Sequence, residues 1–191
     1  MKESQKKIVD VAHDCFLENG FTKTSMSLIG EHSGVSRVTV HKYFKNKKAL
    51  FRCVIAACLD DYRKQTAELT SKINPANPWD EIENYLLSMD RHVFENVKDD
   101  DVFQNLSSAL QDNALDMLQE KQEITINFIW KEIERGIREN IIDLSQVGID
   151  PHEIATLIEF SFSGVVKKSK LKEIDEHTKG IIKVFRQSTK V

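Results

Sequence analysis

Glycine and proline are scarce in this chain of 191 residues, numbering seven and three. Both punctuate local structure, so their rarity leaves long stretches with nothing to stop a helix. No apolar run approaches the roughly 20 residues that span a bilayer. The opening MKESQKK also lacks the apolar centre of a signal peptide. The expectation is a cytoplasmic protein with no membrane partner. Cysteine is sparse too: Cys15, Cys53 and Cys58 form no CxxC pair, and no histidine is spaced to complete a zinc site with them. They read as reduced, mostly structural thiols, with neither metal nor cofactor expected. A nucleophile elbow, a phosphate-binding glycine loop, a dinucleotide fingerprint and paired zinc signatures are missing as well. Without them no catalytic residue is assigned, and an enzyme is not the expected class.

What is present is a globular composition, 40% apolar and 30% charged, in a chain long enough for two folded units at most. The net charge of -3 conceals an asymmetry. Met1 to Arg52 holds ten Lys or Arg against five Asp or Glu, a net of +5, while the remainder holds 17 against 25, a net of -8. A polyanion is attracted to the first segment and repelled by the rest.

That basic segment reads as three short helices. Ile8, Ala12, Cys15 and Phe16 line one face of an amphipathic helix over residues 4–19, which Gly20 stops. Phe21 returns toward the core, and Thr24 or Ser25 can cap a second helix carrying Met26 and Ile29. Gly34 and Val35 then turn the chain into a third helix, capped by Ser36 and running through RVTVHKYF. Two short helices joined by a tight glycine turn make a helix-turn-helix. Val40 and Phe44, four apart, face inward, leaving Arg37, Val38, Thr39, His41, Lys42 and Tyr43 largely outward.

Those outward residues fit the major groove of double-stranded DNA. An arginine such as Arg37 donates bidentately to guanine, a threonine such as Thr39 bonds a base edge, and Val38 can pack on a thymine methyl. Lys42, Tyr43 and Lys47 suit phosphates, since a flexible charge or a phenol fixes position without reading sequence. The hydroxyls and N–H groups near Thr24 and Ser25 offer a further phosphate seat at a helix start.

Over residues 8–51 the pattern resembles the tetracycline-repressor (TetR) family. Ile8, Val11-Ala12, Phe16, Gly20-Phe21, Thr24, Ile29, Gly34-Val35-Ser36, Thr39, Tyr43-Phe44, Lys47 and Leu50-Phe51 fall at the family's spacings. Gly30 departs from the usual Ala, which lowers helix propensity by about 1 kcal/mol; Val38, Val40 and His41 also depart from the commonest choices. The resemblance implies three N-terminal helices, a connecting fourth, and a helical C-terminal domain that binds a small molecule and dimerises. The expected fold is therefore all-α, with a DNA-binding domain at 1–50 and a ligand-binding and dimerisation domain at 51–191.

The rest of the chain agrees in class. A connecting helix carries Leu50, Val54, Ala57 and Cys58 toward about Thr70, and the stretch from Asn74 to Pro78 ends it. Asn77 and Pro78 then start a helix with a stripe of Ile82, Leu86, Met89, Val93 and Val97. After a break at Asp99 to Asp101, Val102 to Leu110 form a shorter segment, and Asp112 or Asn113 introduces a long helix reaching Ile141. Asp150, Pro151 and Glu153 open another through Val165, and a last one spans Leu171 to Phe185. By the resemblance, helices at 154–166 and 171–185 form the homodimer interface. Tyr85, Met89, His92, Phe103 and Phe128 belong to an aromatic and sulfur-rich set of the kind that borders apolar pockets, and are the candidates for a small-molecule effector site. The competing class is a helical interaction protein without DNA binding, which predicts no salt-sensitive affinity for DNA.

Overall fold

The structure, a computed structural model, describes residues 3–71, 76–89 and 91–190. Its regular elements are helices throughout; extended pairing among the described residues is limited to an isolated bridge between Ile142 and Lys190. The chain forms two compact units, one within Met1–Asp61 and Val93–Gln119, the other within Tyr62–His92 and Glu120–Val191. Among the described residues no helix is long and apolar enough to cross a membrane.

In the first unit α1 (Glu3–Lys23) buries Ile8, Ala12, Cys15 and Phe16, the stripe expected from the i, i+4, i+7, i+8 spacing, together with Val9 and Leu17. The helix is broken at Gly20, where φ is 72°. A Cβ at Gly20 would lie 2.7 Å from Asn105 Oδ1, so positive φ and close approach both call for glycine. Helices α2 (Met26–Ser33) and α3 (Arg37–Tyr43) follow, and α4 (Lys47–Ser71) crosses into the second unit. Phe16, Phe21 and Phe51 knit this core, with ring centroids 5.1 Å apart for Phe16–Phe51 and 5.0 Å for Phe21–Phe51, both edge-on. In α4 the buried stripe runs Leu50, Val54, Leu59, Tyr62, Thr66, whereas Ala57 and Cys58, expected inside, are exposed. Cys15 is buried, but Cys53 and Cys58 face solvent, which corrects the reading of the cysteines as mostly structural.

The stop expected at Asn74 and Pro75 lies outside the described residues. Asn77 caps the next helix, its Oδ1 accepting from the Trp79 N–H at 3.0 Å. The stripe expected to run to Val97 lies on α5 (Pro78–Met89) and α6 (Arg91–Asn96), with Val97 just beyond. Ile82 and Leu86 are buried in the second unit, Val97 in the first. Helix α7 (Asp100–Arg138) starts on Asp99, whose Oδ1 accepts from the Val102 N–H at 2.8 Å. The two segments expected on either side of residue 113 meet at Ala114, whose φ of −147° and ψ of 35° are non-helical, so the expected break is present one residue further along. Arg52 of α4 meets that break, donating to the Asn113 carbonyl at 2.8 Å and bidentately to Asp116 at 2.8 and 2.7 Å. The guanidinium holds the Asp116 carboxyl down to about 2.

Helix α7 ends at Arg138, short of Ile141. The Ile141 and Ile142 N–H groups fold back to the Gly136 carbonyl at 2.8 and 3.1 Å, and the Ile142 side chain fills the space a Cβ of Gly136 would need. Helix α8 (Pro151–Lys168), a 3-10 turn (Leu171–Glu173) and α9 (Ile174–Ser188) complete the second unit. Its core joins Trp79, Ile82, Phe128, Ile129, Ile133, Ile154, Ile158 and Ile182, each worth about 1.5–3 kcal/mol when fully removed from water. Asp150 caps α8 by accepting from the His152 and Glu153 N–H groups at 2.8 and 3.0 Å. Asp150→Ala leaves both donors to water and is expected to lower stability by about 1 kcal/mol, read as a shift of the urea unfolding midpoint.

Candidate functional site

The basic segment is assembled from capped turns. Ser25 caps α2, its Oγ accepting from the Leu28 N–H at 3.1 Å, and Gly34 ends that helix in the left-handed region at φ 70°. The Gly34 N–H closes on the Glu31 carbonyl at 3.1 Å and the Val35 N–H on the Gly30 carbonyl at 2.9 Å. This lays the turn directly on α2. A Cβ at Gly30 would sit 2.9 Å from the Val35 carbonyl oxygen and 3.3 Å from the Arg37 nitrogen. The low propensity of Gly30 is therefore matched by the close backbone approach it permits. Ser36 then caps α3, its Oγ accepting from the Thr39 N–H at 3.1 Å and meeting the Thr39 hydroxyl at 3.0 Å.

With the turn closed, Val40 and Phe44 point into the core and the opposite side of α3 faces out. Ser36, Arg37, Val38, His41 and Lys42 are exposed, and Thr39 and Tyr43 are half-buried. Val38 is 78% exposed, an apolar group held in water beside cations, which suits contact with a thymine methyl. Arg37 Nε lies 3.5 Å from His41 Nε2, so both side chains lie along one edge of the helix. Ser25 remains at the surface, at the start of α2.

Two residues expected to hold phosphate are occupied elsewhere. Thr24 is 1% exposed, and its hydroxyl is directed at the Gly20 carbonyl at 2.6 Å and the Cys15 carbonyl at 3.0 Å. It closes the break in α1 and does not offer a hydroxyl to a ligand. Lys47 Nζ donates to the carbonyls of Phe21, Thr22 and Thr24 at 2.7, 3.2 and 2.9 Å and sits 4.4 Å from the Phe21 ring centroid. Burial pulls the ammonium below the ordinary lysine range. Asn105, which spacing alone did not single out, completes the corner: its Oδ1 accepts from the Thr22 N–H at 3.0 Å and its Nδ2 donates to the Thr22 hydroxyl at 2.7 Å. The available sequence signal was a poor helix former inside an otherwise helical stretch. Lys47→Ala is expected to destabilise the fold by about 2 kcal/mol, because charge-assisted hydrogen bonds to otherwise orphaned carbonyls are lost. It should leave the salt dependence of DNA binding unchanged; urea unfolding and binding titrations at several salt concentrations check the two halves separately.

Of the five residues expected at an effector site, the structure gathers Tyr85 and Phe128, with Met89 packed against the same cluster. The Tyr85 and Phe128 rings stack at 3.9 Å and 12°. The Tyr85 hydroxyl donates to that of Tyr62 at 3.0 Å, Tyr62 pairs with Thr125 at 2.6 Å, and Thr125 donates to the Lys121 carbonyl at 3.1 Å. Thr66 meets Tyr85 at 3.0 Å. Burial pushes the Tyr85 phenol far above its ordinary range, so it is a neutral hydrogen-bonding group. The other two residues do not join this cluster. His92 is exposed, and Phe103 packs edge-on against Phe94 at 5.8 Å in the first unit.

Comparison with known proteins bears on both parts of the chain. Residues 8–54 match the model of bacterial regulatory proteins, tetR family. The chain is 23% identical over 147 residues to the HTH-type transcriptional regulator YhgD of Bacillus subtilis (strain 168), covering 73% of this chain and 72% of that protein. Among solved structures it resembles a transcriptional regulator from Cytophaga hutchinsonii, with a TM-score of 0.74 at 17% identity over 97% of this chain and 98% of the other. It also resembles SmeT, the repressor of the Stenotrophomonas maltophilia multidrug efflux pump SmeDEF, with a TM-score of 0.69 at 16% identity over 98% and 90%. A glycine-cornered helix-turn-helix built on the matched residues, heading a chain whose described regular elements are helices, identifies residues 8–54 as the DNA-binding domain of a tetR-family transcriptional regulator.

Proposed function

We propose that the chain is a ligand-responsive repressor that binds a palindromic operator as a homodimer and is released by a small apolar or amphipathic effector. Residues 1–50 are the DNA-binding part and residues 51–191 the effector-binding and dimerising part. The observation that carries the first assignment is the outward side of α3, where Arg37, Val38, His41 and Lys42 stand clear of the core on a helix capped by Ser36. Arg37, Val38 and Thr39 are assigned to base edges, and Ser25, Ser36, His41, Lys42 and Tyr43 to the backbone of the duplex. SmeT is the repressor of an efflux pump, and repression is the output proposed here as well.

Dimerisation is supported by an apolar surface on the last two long helices. Leu157 and Phe160 of α8 are 43% and 59% exposed and Val184 of α9 is 65% exposed. A Cβ at Gly164 or Gly180 would meet nothing within 4 Å. The opposite sides of the same helices, with Ile154, Ile158, Phe162 and Ile182, are intrachain core, so about half of each expected interface helix is available to a second copy. Pairing there serves DNA binding, since two recognition helices about 34–36 Å apart read successive half-sites on one side of the duplex. The effector is assigned to the cluster of Tyr85, Met89 and Phe128. Reciprocity then requires operator DNA to weaken effector binding by the same factor as effector weakens DNA binding.

Fluorescence anisotropy against the promoter beside the protein's own gene tests this reading; absence of binding at low salt to that and neighbouring promoters would contradict it. Arg37→Ala is expected to relax base preference at one position of each half-site, at a loss of about 1–3 kcal/mol, while Lys42→Ala weakens all sequences alike and lowers the salt slope by about one per site. Equal effects on selectivity would remove the distinction. Phe160→Glu is expected to shift the protein from dimer to monomer in sedimentation velocity and to weaken operator binding at least tenfold; a dimer that survives this change places the interface elsewhere.

A further inference from the structure

Polar groups inside the second unit fall into two sets. The hydroxyls of Thr66, Tyr85, Tyr62 and Thr125 form a relay that ends on the Lys121 carbonyl, so each donor has an acceptor. Glu159 breaks this rule. It lies on α8 between Ile158 and Phe162 and is 3% exposed. Its Oε1 accepts from the Ser163 hydroxyl at 2.6 Å, and Ser163 Oγ in turn accepts from Gln122 Nε2 of α7 at 3.3 Å. Its Oε2 is buried with no hydrogen-bond partner. A carboxylate oxygen removed from water and left unmatched is strongly unfavourable, and native interiors pair nearly all such atoms. Burial pushes the Glu159 carboxyl above the ordinary glutamate range, and hydrogen bonding from Ser163 and Gln122, with the Lys121 charge, only partly counters this.

The unmatched oxygen calls for a donor, and a cationic donor answers it best. Charge-assisted hydrogen bonds are roughly twice as strong as neutral ones, and a low-dielectric interior amplifies the difference. The same stretch of α7 connects Glu159 to the aromatic cluster, since Gln122 reaches the Glu159 side while Thr125 holds Tyr62. Lys121 Nζ already lies 5.1 Å from the Tyr62 ring centroid, which demonstrates that this ring receives a cation at its face.

We propose that Glu159 anchors the effector in the second unit and that the effector is an arylalkyl amine, its ammonium donating to Glu159 Oε2 while its apolar body lies against the Tyr85 and Phe128 cluster. The inference rests on the reading that this unit binds a small effector, and it names the chemical class. No covalent step is involved; binding replaces an unmet acceptor with an ion pair.

The test uses the full-length protein and three arylalkyl skeletons (phenylbutyl, naphthylmethyl and indolylethyl), each as the amine, the alcohol and the carboxylate. Binding is measured by isothermal titration and operator release by anisotropy. At neutral pH at least one amine is expected to bind tenfold or more tightly than its alcohol, and its carboxylate to bind more weakly still. Glu159→Gln and Glu159→Met should bring that amine down to the level of the alcohol; the methionine variant carries no orphaned polar atom and is expected to unfold at or above the wild-type temperature. Alcohols binding as well as amines, no binding by any amine, or an amine preference that survives both variants would each overturn the anchor. The wild-type comparison decides even if neither variant folds. Operator release by an alcohol or a carboxylate but by no amine would sink Glu159 and leave the effector reading intact. Glu159-dependent amine binding without any change in operator affinity would do the reverse.

Discussion

Carbonyl groups at the end of a helix have no partner within it, and at the Gly20 corner they are gathered by a single ammonium. Phe21, Thr22 and Thr24 all present their oxygens to Lys47, which starts α4. Water could solvate an exposed helix end, but at this one Phe21 is half-buried and Thr24 buried. A donor therefore has to come from the chain. Lys47 supplies it, and in doing so joins the last residues of α1 to the first turn of α4. The helix-turn-helix lies between these two helices in the chain, with α2 packed on both α1 and α3.

The same accounting explains the partners of the corner. Gly20 adopts positive φ, Thr24 closes the carbonyls behind it, and Asn105 of α7 binds Thr22 through both donor and acceptor. A few residues further along α7, the irregular Ala114 is met by Arg52 of α4. Two helices are thus fastened to the basic segment by side chains spent on internal hydrogen bonds. The outward side of α3 is left to residues with no such duty: Arg37, Val38, His41 and Lys42 project from it without a role in the core. In the second unit the polar relay through Tyr85 is satisfied end to end, whereas Glu159 keeps one buried oxygen without a hydrogen-bond partner.

Much of the fold was legible in the sequence because its signals are local. The stripe of Ile8, Ala12, Cys15 and Phe16, the left-handed Gly34, the serine caps and the Asp150-Pro151 start each depend on residues within one or two turns, and all appear as expected. The outward side of α3 was legible for the same reason, since burying Val40 and Phe44 leaves the rest of that helix facing out. What failed to read correctly depends on partners far away in the chain. Ala57 and Cys58 continue an apolar pattern in α4, yet Leu59, Tyr62 and Thr66 are the buried side, set by what packs on that helix. Tyr85 and Phe128 share one stack while Phe103 belongs to the other unit, a division that an aromatic count cannot express.

The sequence by itself determined an all-helical chain, a basic helix-turn-helix near its start and the residues that helix presents, because helix periodicity, caps and glycine corners are decided by short-range sterics and hydrogen bonding. Only the tertiary structure decided which polar groups are spent. Lys47 and Thr24 carry the composition of a phosphate site, and it took carbonyls brought in from the end of α1 to turn them into internal fasteners. Glu159 could equally have been one more surface acid. Its burial, with one oxygen unmatched, follows from packing between residues far apart in the chain, such as Gln122 and Ser163, 41 positions apart, a relation that no local pattern encodes.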